Sequence, residues 1–160
     1  MSDFTIAIKL TPYLREWFIH ENGGHYPVKL IKNSTESTIV EYFLKERPED
    51  AKCVEGANCL IYIPTYKNLD VRKFNYLAPK AINALESAIL NRFKIQMWKA
   101  LHKLENCNVD IGDAICAYME DHGISGVRGD TNWESIRQMY YRMRQAYKKT
   151  VSKSDDVKVS

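Results

Sequence analysis

The chain has 160 residues with a formal net charge of +3, which is long enough for one compact domain with a hydrophobic core. Its apolar share of 45% and aromatic share of 11% are typical of a folded globular protein and argue against general disorder. The first residues lack the basic and apolar stretches of a secretion signal, and no apolar run approaches the ~20 residues that cross a bilayer, so we expect a cytoplasmic protein with no membrane partner.

The first part of the chain is predicted to form a strand followed by a helix. Residues 4–10 alternate between apolar and polar side chains, which indicates a strand. Thr11-Pro12 has the form of a helix N-cap followed by proline in the first helical position. The helix is expected over 12–21 and ends at Asn22-Gly23-Gly24, because glycine tolerates the left-handed conformation of a C-cap.

A second helix and a second strand are expected next. The helix runs from about Ser34 to about Arg47, before Pro48, and its apolar residues at i, i+3 and i+4 are Ile39, Tyr42 and Phe43. Residues 59–64 are rich in β-branched and aromatic side chains, which indicates a strand. We expect this strand to pair with 4–10, because a lone strand cannot satisfy its backbone.

The longest helix is predicted over 75–105, with Pro79 in an early turn. Its apolar residues step by threes and fours, the pattern of a core helix; they are Ile82, Leu85, Ile89, Phe93, Met97, Leu101 and Leu104. Two shorter helices with a kink near Asn91 are the alternative. A further helix over 110–122 is expected to end at Gly123, and a loop then leads to the final helix.

The final helix, over 131–147, is indicated by its start and by its apolar side chains. Thr131-Asn-Trp-Glu134 has the form of a capping box, in which the Thr131 hydroxyl accepts from the N–H of Glu134 and the carboxylate reaches back. The apolar residues form a seam with steps of three and four: Trp133, Ile136, Tyr140, Met143 and Tyr147. Such a seam is typical of the core face of a bundle helix, and it is equally compatible with a homodimer interface.

Positive charge is concentrated in the second half of this helix. Residues 137–149 contain three Arg, two Lys and no acid, so the remaining residues sum to −2 once these five charges are taken from +3. A basic stripe that includes an aromatic side chain can contact phosphates, which indicates DNA as a partner. The residues expected to bind the DNA backbone are Arg128, Arg137, Tyr141, Arg144, Lys148 and Lys149.

The helices over 110–122 and 131–147 have the outline of a helix-turn-helix. The loop over 123–130 is longer than the about three or four residues of a tight turn, however. Glu134 lies near the start of the second helix and would repel phosphate, and the late position of the cations favours backbone contact over base reading. A solvated basic face is the alternative, because Lys and Arg in the last turns complement the helix dipole.

Patterns that would indicate catalysis or a bound metal are weak. His20 and His25 resemble the H-E-x-x-H zinc motif, but they are separated by one residue too many and by two glycines. Neither a glycine-rich phosphate loop of standard form nor a G-x-S-x-G elbow occurs. Tyr140 and Tyr141 beside arginines resemble recombinase nucleophiles, without the further residues that such enzymes need. We therefore expect no enzyme activity, no cofactor and no metal site.

The cysteines do not follow a metal-binding or disulfide pattern. They lie at positions 53, 59, 107 and 116, with the spacings C-x5-C and C-x8-C. Free thiols are the expected state in a chain without a secretion signal. A zinc site with Cys53, Cys59 and a histidine has no ligand spacing in its favour.

Three segments together resemble a group of small proteins from bacterial phages and mobile elements. They are 6–14, which contains Lys-Leu-Thr-Pro-Tyr-Leu, 62–66 before the long helix, and 133–144, which contains Tyr-Tyr-Arg. The shared outline covers most of the chain. That group has no assigned activity, so the resemblance implies a DNA-associated protein of a mobile element and does not imply a reaction.

These patterns predict an α-dominant α+β domain over 1–149 and a disordered polar tail over 150–160. The domain is expected to contain about five helices, a small two-stranded antiparallel sheet and a helix-turn-helix-like C-terminal helix pair. The predicted function is non-enzymatic DNA binding, with a regulatory role in a phage or mobile element. The alternative is a protein-interaction or oligomerisation module with no nucleic-acid role.

Overall fold

The computed structural model describes residues 4–159, with side chains described as far as Ser154. Within this range there are five α-helices and five short strands, so the α-dominant α+β class is confirmed. The helices are α1 (Pro12–Glu21), α2 (Thr35–Phe43), α3 (Pro79–His102), α4 (Ile111–Asp121) and α5 (Thr131–Val159). The strands are β1 (Thr5–Ile8), β2 (Val28–Lys29), β3 (Lys45–Glu46), β4 (Cys59–Tyr62) and β5 (Phe74–Tyr76). The chain divides into two compact units, Met1–Arg92 and Phe93–Ser160, and the division lies within α3.

The predicted pairing of the two main strands is confirmed in the first unit. β1 and β4 are antiparallel, with Ile6 opposite Ile61. β2 pairs with the other edge of β4 in parallel, which places Val28 opposite Ile61 and makes a three-stranded sheet of order β1-β4-β2. A two-residue strand such as β2 is too short to show a period in the sequence.

Two predicted helix boundaries are wrong, because the segments concerned form a second, two-stranded sheet. β3 and β5 pair antiparallel, in segments that the sequence assigned to the end of one helix and the start of the next. α2 ends because Leu44 adopts an extended backbone with ψ of 132°, and Pro48 disfavours helical geometry at the residue before it. α3 begins only at Pro79, whose missing N–H is tolerated in a first turn.

The buried face of α2 differs from the predicted one. Tyr42 is 80% exposed and Phe43 is 39% exposed, whereas Val40 and the acidic residue Glu36 are buried. The Glu36 carboxylate forms an ion pair of 2.9 Å with Arg92. A partnered charge therefore lies on the face that apolar periodicity would assign to solvent.

The core of the first unit is built by α1, the three-stranded sheet and the first half of α3. Its fully buried side chains include Trp17, Phe18, Ile8, Ile61, Leu85 and Ile89. Asn22 ends α1 at the predicted position, because its buried side chain donates to the Phe18 carbonyl at 2.9 Å and accepts from the N–H of Ile31 at 3.2 Å. This amide therefore satisfies the helix end and fixes the following segment.

The second unit contains the second half of α3 together with α4 and α5. Its fully buried side chains include Phe93, Met97, Leu101, Ile115, Ile136 and Tyr140. The apolar stripe predicted for the long helix is confirmed from Ile82 to Leu101. The seam predicted for the final helix is confirmed through Tyr140, whereas Tyr147 is 46% exposed.

α5 is longer than the sequence predicts. It continues to Val159, and its 29 residues span about 43 Å at the rise of an α-helix. Every residue from 145 to 154 is exposed, so these turns cover no core. The disorder expected for 150–160 stays a prediction. Within the described residues, no helix is both long and apolar enough to cross a membrane.

Candidate nucleic-acid interface

The loop that joins α4 to α5 is anchored at its beginning. α4 starts at the N-cap Asp110, whose Oδ1 accepts from the N–H of Asp113 at 3.2 Å. After α4, the N–H of Ile124 donates to the Met119 carbonyl at 2.9 Å, and the Ile124 side chain is buried. The loop extends over 122–130, so the short turn of a helix-turn-helix is not confirmed for this pair.

Asp130 caps α5, and the predicted capping box of Thr131 and Glu134 is wrong. The Asp130 Oδ1 accepts from the N–H of Trp133 at 3.0 Å, and its Oδ2 accepts from the N–H of Val127 at 2.7 Å. One carboxylate thus closes the loop and caps the helix, which a Thr131 hydroxyl cannot do. Thr131 becomes the first helical residue, and the Glu134 carboxylate faces Arg137 instead.

Arg128 clamps the loop to the first turn of α4. Its guanidinium donates to the carboxylates of Asp110 and Asp113 at 3.2 and 3.0 Å and lies 5.7 Å from the centre of the Trp133 ring. The Trp133 Nε1 donates to the Gly112 carbonyl at 3.1 Å. The charge of Asp110 raises the pKa of Arg128, and hydrogen bonding to the N–H of Asp113 is the main reason that the pKa of Asp110 is lowered. These contacts give Arg128 a positioning role.

Arginine and aromatic side chains alternate along one face of α5. The Arg137 guanidinium lies 5.9 Å from the Trp133 ring and 5.1 Å from the Tyr141 ring, and the Arg144 guanidinium lies 5.8 Å from the Tyr141 ring. Together with Arg128, these residues form what we call the arginine–aromatic row. Every member of the row except Arg144 lines a polar cavity of about 310 Å³ between the start of α4 and α5. The spatial grouping of Arg137, Tyr141 and Arg144 agrees with the predicted stripe.

The arginines of the row have carboxylate partners within the second unit. Arg137 lies 3.3 Å from Glu134, and both side chains are more than 40% exposed. Arg144 pairs with Glu105, whose side chain is only 18% exposed. An exposed ion pair contributes little to stability, so Arg137 can exchange Glu134 for a phosphate at low cost. Arg144 is held more firmly by its partly buried partner.

Other cations of α5 face solvent. Lys148, Lys149, Arg142 and Lys153 are exposed and have no ion-pair partner among the described residues. The first two belong to the predicted DNA-binding set, whereas Lys153 lies in the predicted tail. The sequence feature that could have identified Lys153 as part of the basic surface is its four-residue spacing from Lys149, which places both on one face of the helix. Residues 135–154 contain six Lys and Arg residues and no acid.

Tyr140 lies at the centre of an aromatic cluster that packs α5 onto α3. Its ring is 5.6 Å from that of Trp98, which in turn stacks on His102 at 4.4 Å. Tyr140 is fully buried, and burial, followed by the neighbouring Glu105 carboxylate, raises the pKa of its hydroxyl. A nucleophilic tyrosine needs access and easier ionisation, so this environment supports a packing role for Tyr140.

The histidines singled out in the sequence do not share a helix face. His20 lies in the last turn of α1, and His25 follows Gly23 and Gly24, whose φ angles are 95° and 79°. These left-handed glycines turn the chain away from the helix axis. The i, i+4 geometry of the zinc motif is therefore not formed by this pair.

Comparison with protein-family models, with curated proteins and with solved structures finds no match for the chain. The resemblance to proteins of phages and mobile elements therefore stays a prediction. The assignment of function depends on the geometry and charge of α5.

Proposed function

We propose that the protein binds DNA without catalysing a reaction, through phosphate contacts made by the second half of α5. One observation carries this proposal: residues 135–154 hold six cations and no acid on a helix whose residues from 145 to 154 are exposed. A helix of this kind offers positive charge on two stripes, Arg137-Arg144-Lys148 and Arg142-Lys149-Lys153, whose side chains can contact the phosphates of a DNA backbone. The complementary partner is a polyanion.

The start of α5 supports backbone contact and disfavours base reading. The Asn132 side chain donates to the Ser125 carbonyl at 3.0 Å, and the Ser135 hydroxyl donates to the Thr131 carbonyl at 2.9 Å. Glu134 adds a negative charge beside them. Helices that read bases in the major groove present their N-terminal side chains to the base edges. Here those side chains form hydrogen bonds or an ion pair within the protein, and the exposed cations lie in later turns of α5.

The residues predicted to bind the DNA backbone have different roles in the proposed complex. Lys148 and Lys149 contact phosphates directly, and the exposed Arg142 and Lys153 join them. Arg137 reaches a phosphate by exchanging its exposed pair with Glu134, and the half-buried Tyr141 can donate its hydroxyl. The contribution of Arg144 requires separation from Glu105.

A regulatory role in a phage or mobile element and a cytoplasmic location belong to the same proposal. The regulatory setting is supported by the sequence resemblance alone. The cytoplasmic location is supported by the four cysteines, none of which forms a disulfide. Free thiols are typical of a reducing compartment.

The direct test is the salt dependence of binding to a short fluorescent DNA duplex, measured by anisotropy. Binding should weaken steeply between about 50 and 200 mM salt, because each neutralised phosphate releases counterions. Lys148→Ala should lower the slope of log affinity against log salt by roughly one, and Arg144→Ala should lower it by less, because Arg144 must first leave Glu105. Lys99→Ala and Lys103→Ala, which remove exposed lysines outside α5, are the matched controls. Absence of binding at low salt, or equal slopes in all four variants, would exclude the proposal.

A second candidate function, self-association through α5, is favoured by the continuation of its apolar seam. Tyr147 and Val151 are 46% and 40% exposed and follow the buried Tyr140 at helical spacing. In this case a sedimentation experiment should show a concentration-dependent dimer that Val151→Glu dissociates and Lys149→Glu leaves intact. A monomer at all concentrations would leave DNA binding as the single candidate.

A further inference from the structure

The first unit contains a cavity of about 280 Å³ that the proposed DNA-binding function does not use. β1 lies at one edge of the three-stranded sheet and contributes Thr5, Ile6 and Ala7 to the wall of the cavity. The cavity is large enough for a small organic molecule and too small for a folded partner. Its lining combines apolar side chains, cations and the free edge of a strand.

The free edge of β1 directs unpaired backbone groups into this cavity. The Phe4 carbonyl accepts from the N–H of Ile63 at 2.9 Å, so Phe4 and Ile6 direct their backbone groups towards β4. In an antiparallel ladder the alternate residues direct theirs to the opposite side. Thr5 and Ala7 therefore present N–H and C=O groups to the cavity, where no hydrogen-bond partner lies among the described residues.

The next backbone N–H along the same edge of β1, that of Lys9, shows which kind of acceptor this edge binds. The N–H of Lys9 points to the same side of β1 as that of Ala7 and donates to the Glu86 carboxylate at 3.0 Å. A side-chain carboxylate thus satisfies one donor of the free edge. The Ala7 N–H, two residues earlier, borders the cavity without such a partner.

The charges of the cavity favour an anion at this donor. Arg47 and Lys52 line it, and no Asp or Glu does among the residues that the structure describes. A guanidinium can hold both oxygens of a carboxylate, and the ammonium of Lys52 adds a second positive charge. The remaining wall includes the buried apolar side chains of Leu77 and Ile82. The bound molecule therefore needs one anionic group and a short apolar body.

We propose that this cavity binds a small carboxylic acid with an apolar body. The carboxylate of the bound acid accepts from the N–H of Ala7 and pairs with Arg47 and Lys52. Its contact with Ala7 corresponds to the contact of the Glu86 carboxylate with the N–H of Lys9. The apolar body packs against Leu77 and Ile82. This binding does not depend on the DNA-binding proposal.

Titration of the ¹⁵N-labelled protein with benzoate, followed by amide chemical shifts, tests the proposal. The amides of Thr5 and Ala7 should shift in a saturable manner, and the double variant Arg47→Ala/Lys52→Ala should weaken benzoate binding at least about tenfold, since two charge-assisted contacts are lost. The double variant Lys73→Ala/Lys80→Ala removes two exposed cations outside the cavity and should bind as the unaltered protein does. Both pairs replace exposed side chains, so folding should survive.

Benzyl alcohol and inorganic phosphate separate the parts of the proposal. Benzyl alcohol keeps the ring without the anion and should not shift Ala7, and phosphate, which lacks the apolar body, should bind more weakly than benzoate. The proposal is overturned if the Ala7 amide shows no saturable shift, if the two double variants respond equally, or if phosphate binds as tightly as benzoate. Modification of the exposed thiol Cys53, which lines the cavity, should also slow with benzoate, whereas that of the exposed Cys107 should not.

Discussion

The guanidinium of Arg128 lies directly against Gly112, in space that a Cβ at that position would occupy. Only a glycine in the first turn of α4 lets the arginine reach Asp110 and Asp113 while it covers the Trp133 ring. The backbone of Gly112 also accepts from the Trp133 Nε1. The loop before α5 is thus fastened by a contact that depends on the absence of one side chain.

Gly112→Ala should stabilise the protein less than a glycine-to-alanine change in a helix ordinarily does, because the new Cβ displaces the flexible Arg128 guanidinium from Asp110 and Asp113. The comparison is informative, since an alanine that replaces glycine within a helix ordinarily stabilises it by roughly 0.5–1 kcal/mol. Urea denaturation of the two proteins provides the measurement. In the Arg128→Ala background the overlap is removed, so Gly112→Ala should there give its full stabilisation. Equal effects of Gly112→Ala in the two backgrounds would contradict the clamp.

The ion pair of Glu36 and Arg92 should be among the most sensitive positions of the first unit. The Glu36 side chain is 2% exposed, and the Arg92 guanidinium also lies 5.1 Å from the Trp17 ring. Glu36→Gln should cost about 3–5 kcal/mol in urea denaturation, because it leaves a partly buried guanidinium without its counter-charge. Asp70→Asn breaks the exposed pair with Arg72 and should have a far smaller effect. Similar losses in the two variants would show that burial does not strengthen the Glu36 pair.

Elements with long, regular patterns could be predicted from the sequence. The apolar stripe of α3 repeats over many turns, so its helical period and buried face followed from the residues alone. The pairing of β1 with β4 followed because few other segments could satisfy either strand. In both cases the local pattern and the tertiary environment favour the same structure.

The errors arose where a distant residue decides the outcome. Glu36 is buried on α2 because Arg92, far along the chain, supplies its counter-charge, and a local apolar period cannot contain that information. At the start of α5, Asp130 and Thr131 can each cap a helix, and Asp130 does so because the loop also brings the N–H of Val127 to its carboxylate. α5 also continues beyond its predicted end, because its last turns are polar and exposed and no apolar period marks them as helix.

The thiol of Cys59 should react far more slowly than the exposed thiols. Burial raises the pKa of Cys59 to about 11 from an ordinary value of 9.0, with a smaller opposing effect of Arg15. A pKa two units higher lowers the thiolate fraction near neutral pH about 100-fold, and burial further limits access. Timed alkylation with mass spectrometry should label Cys53 and Cys107 first. Labelling of Cys59 at a similar rate in the folded protein would contradict its buried position.

The same shift predicts how the stability of the first unit depends on alkaline pH. The folded state holds the Cys59 proton more tightly than the unfolded state, so the contribution of this proton to stability is complete below pH 9. It is lost as the pH rises from 9.0 to about 11. Cys59→Ala removes this titration and should flatten the fall in urea-denaturation free energy over that interval. An unchanged pH profile in the variant would contradict the assignment.

Substitution of Arg128 and substitution of Lys149 should affect DNA binding differently, although both residues belong to the predicted DNA-binding set. Arg128 is engaged by two carboxylates, whereas Lys149 is exposed without an ion-pair partner among the described residues. Lys149→Ala should therefore lower the salt slope of DNA binding by about 0.9, the value for one phosphate contact on duplex DNA, and leave urea denaturation nearly unchanged. Arg128→Ala should lower the free energy of unfolding and leave the slope unchanged, because it frees two carboxylates and removes no phosphate contact. Gln145→Ala, which replaces an exposed neutral residue of the same helix, should change neither quantity. A slope reduced by Arg128→Ala and unaffected by Lys149→Ala would instead place the DNA at the loop and α4.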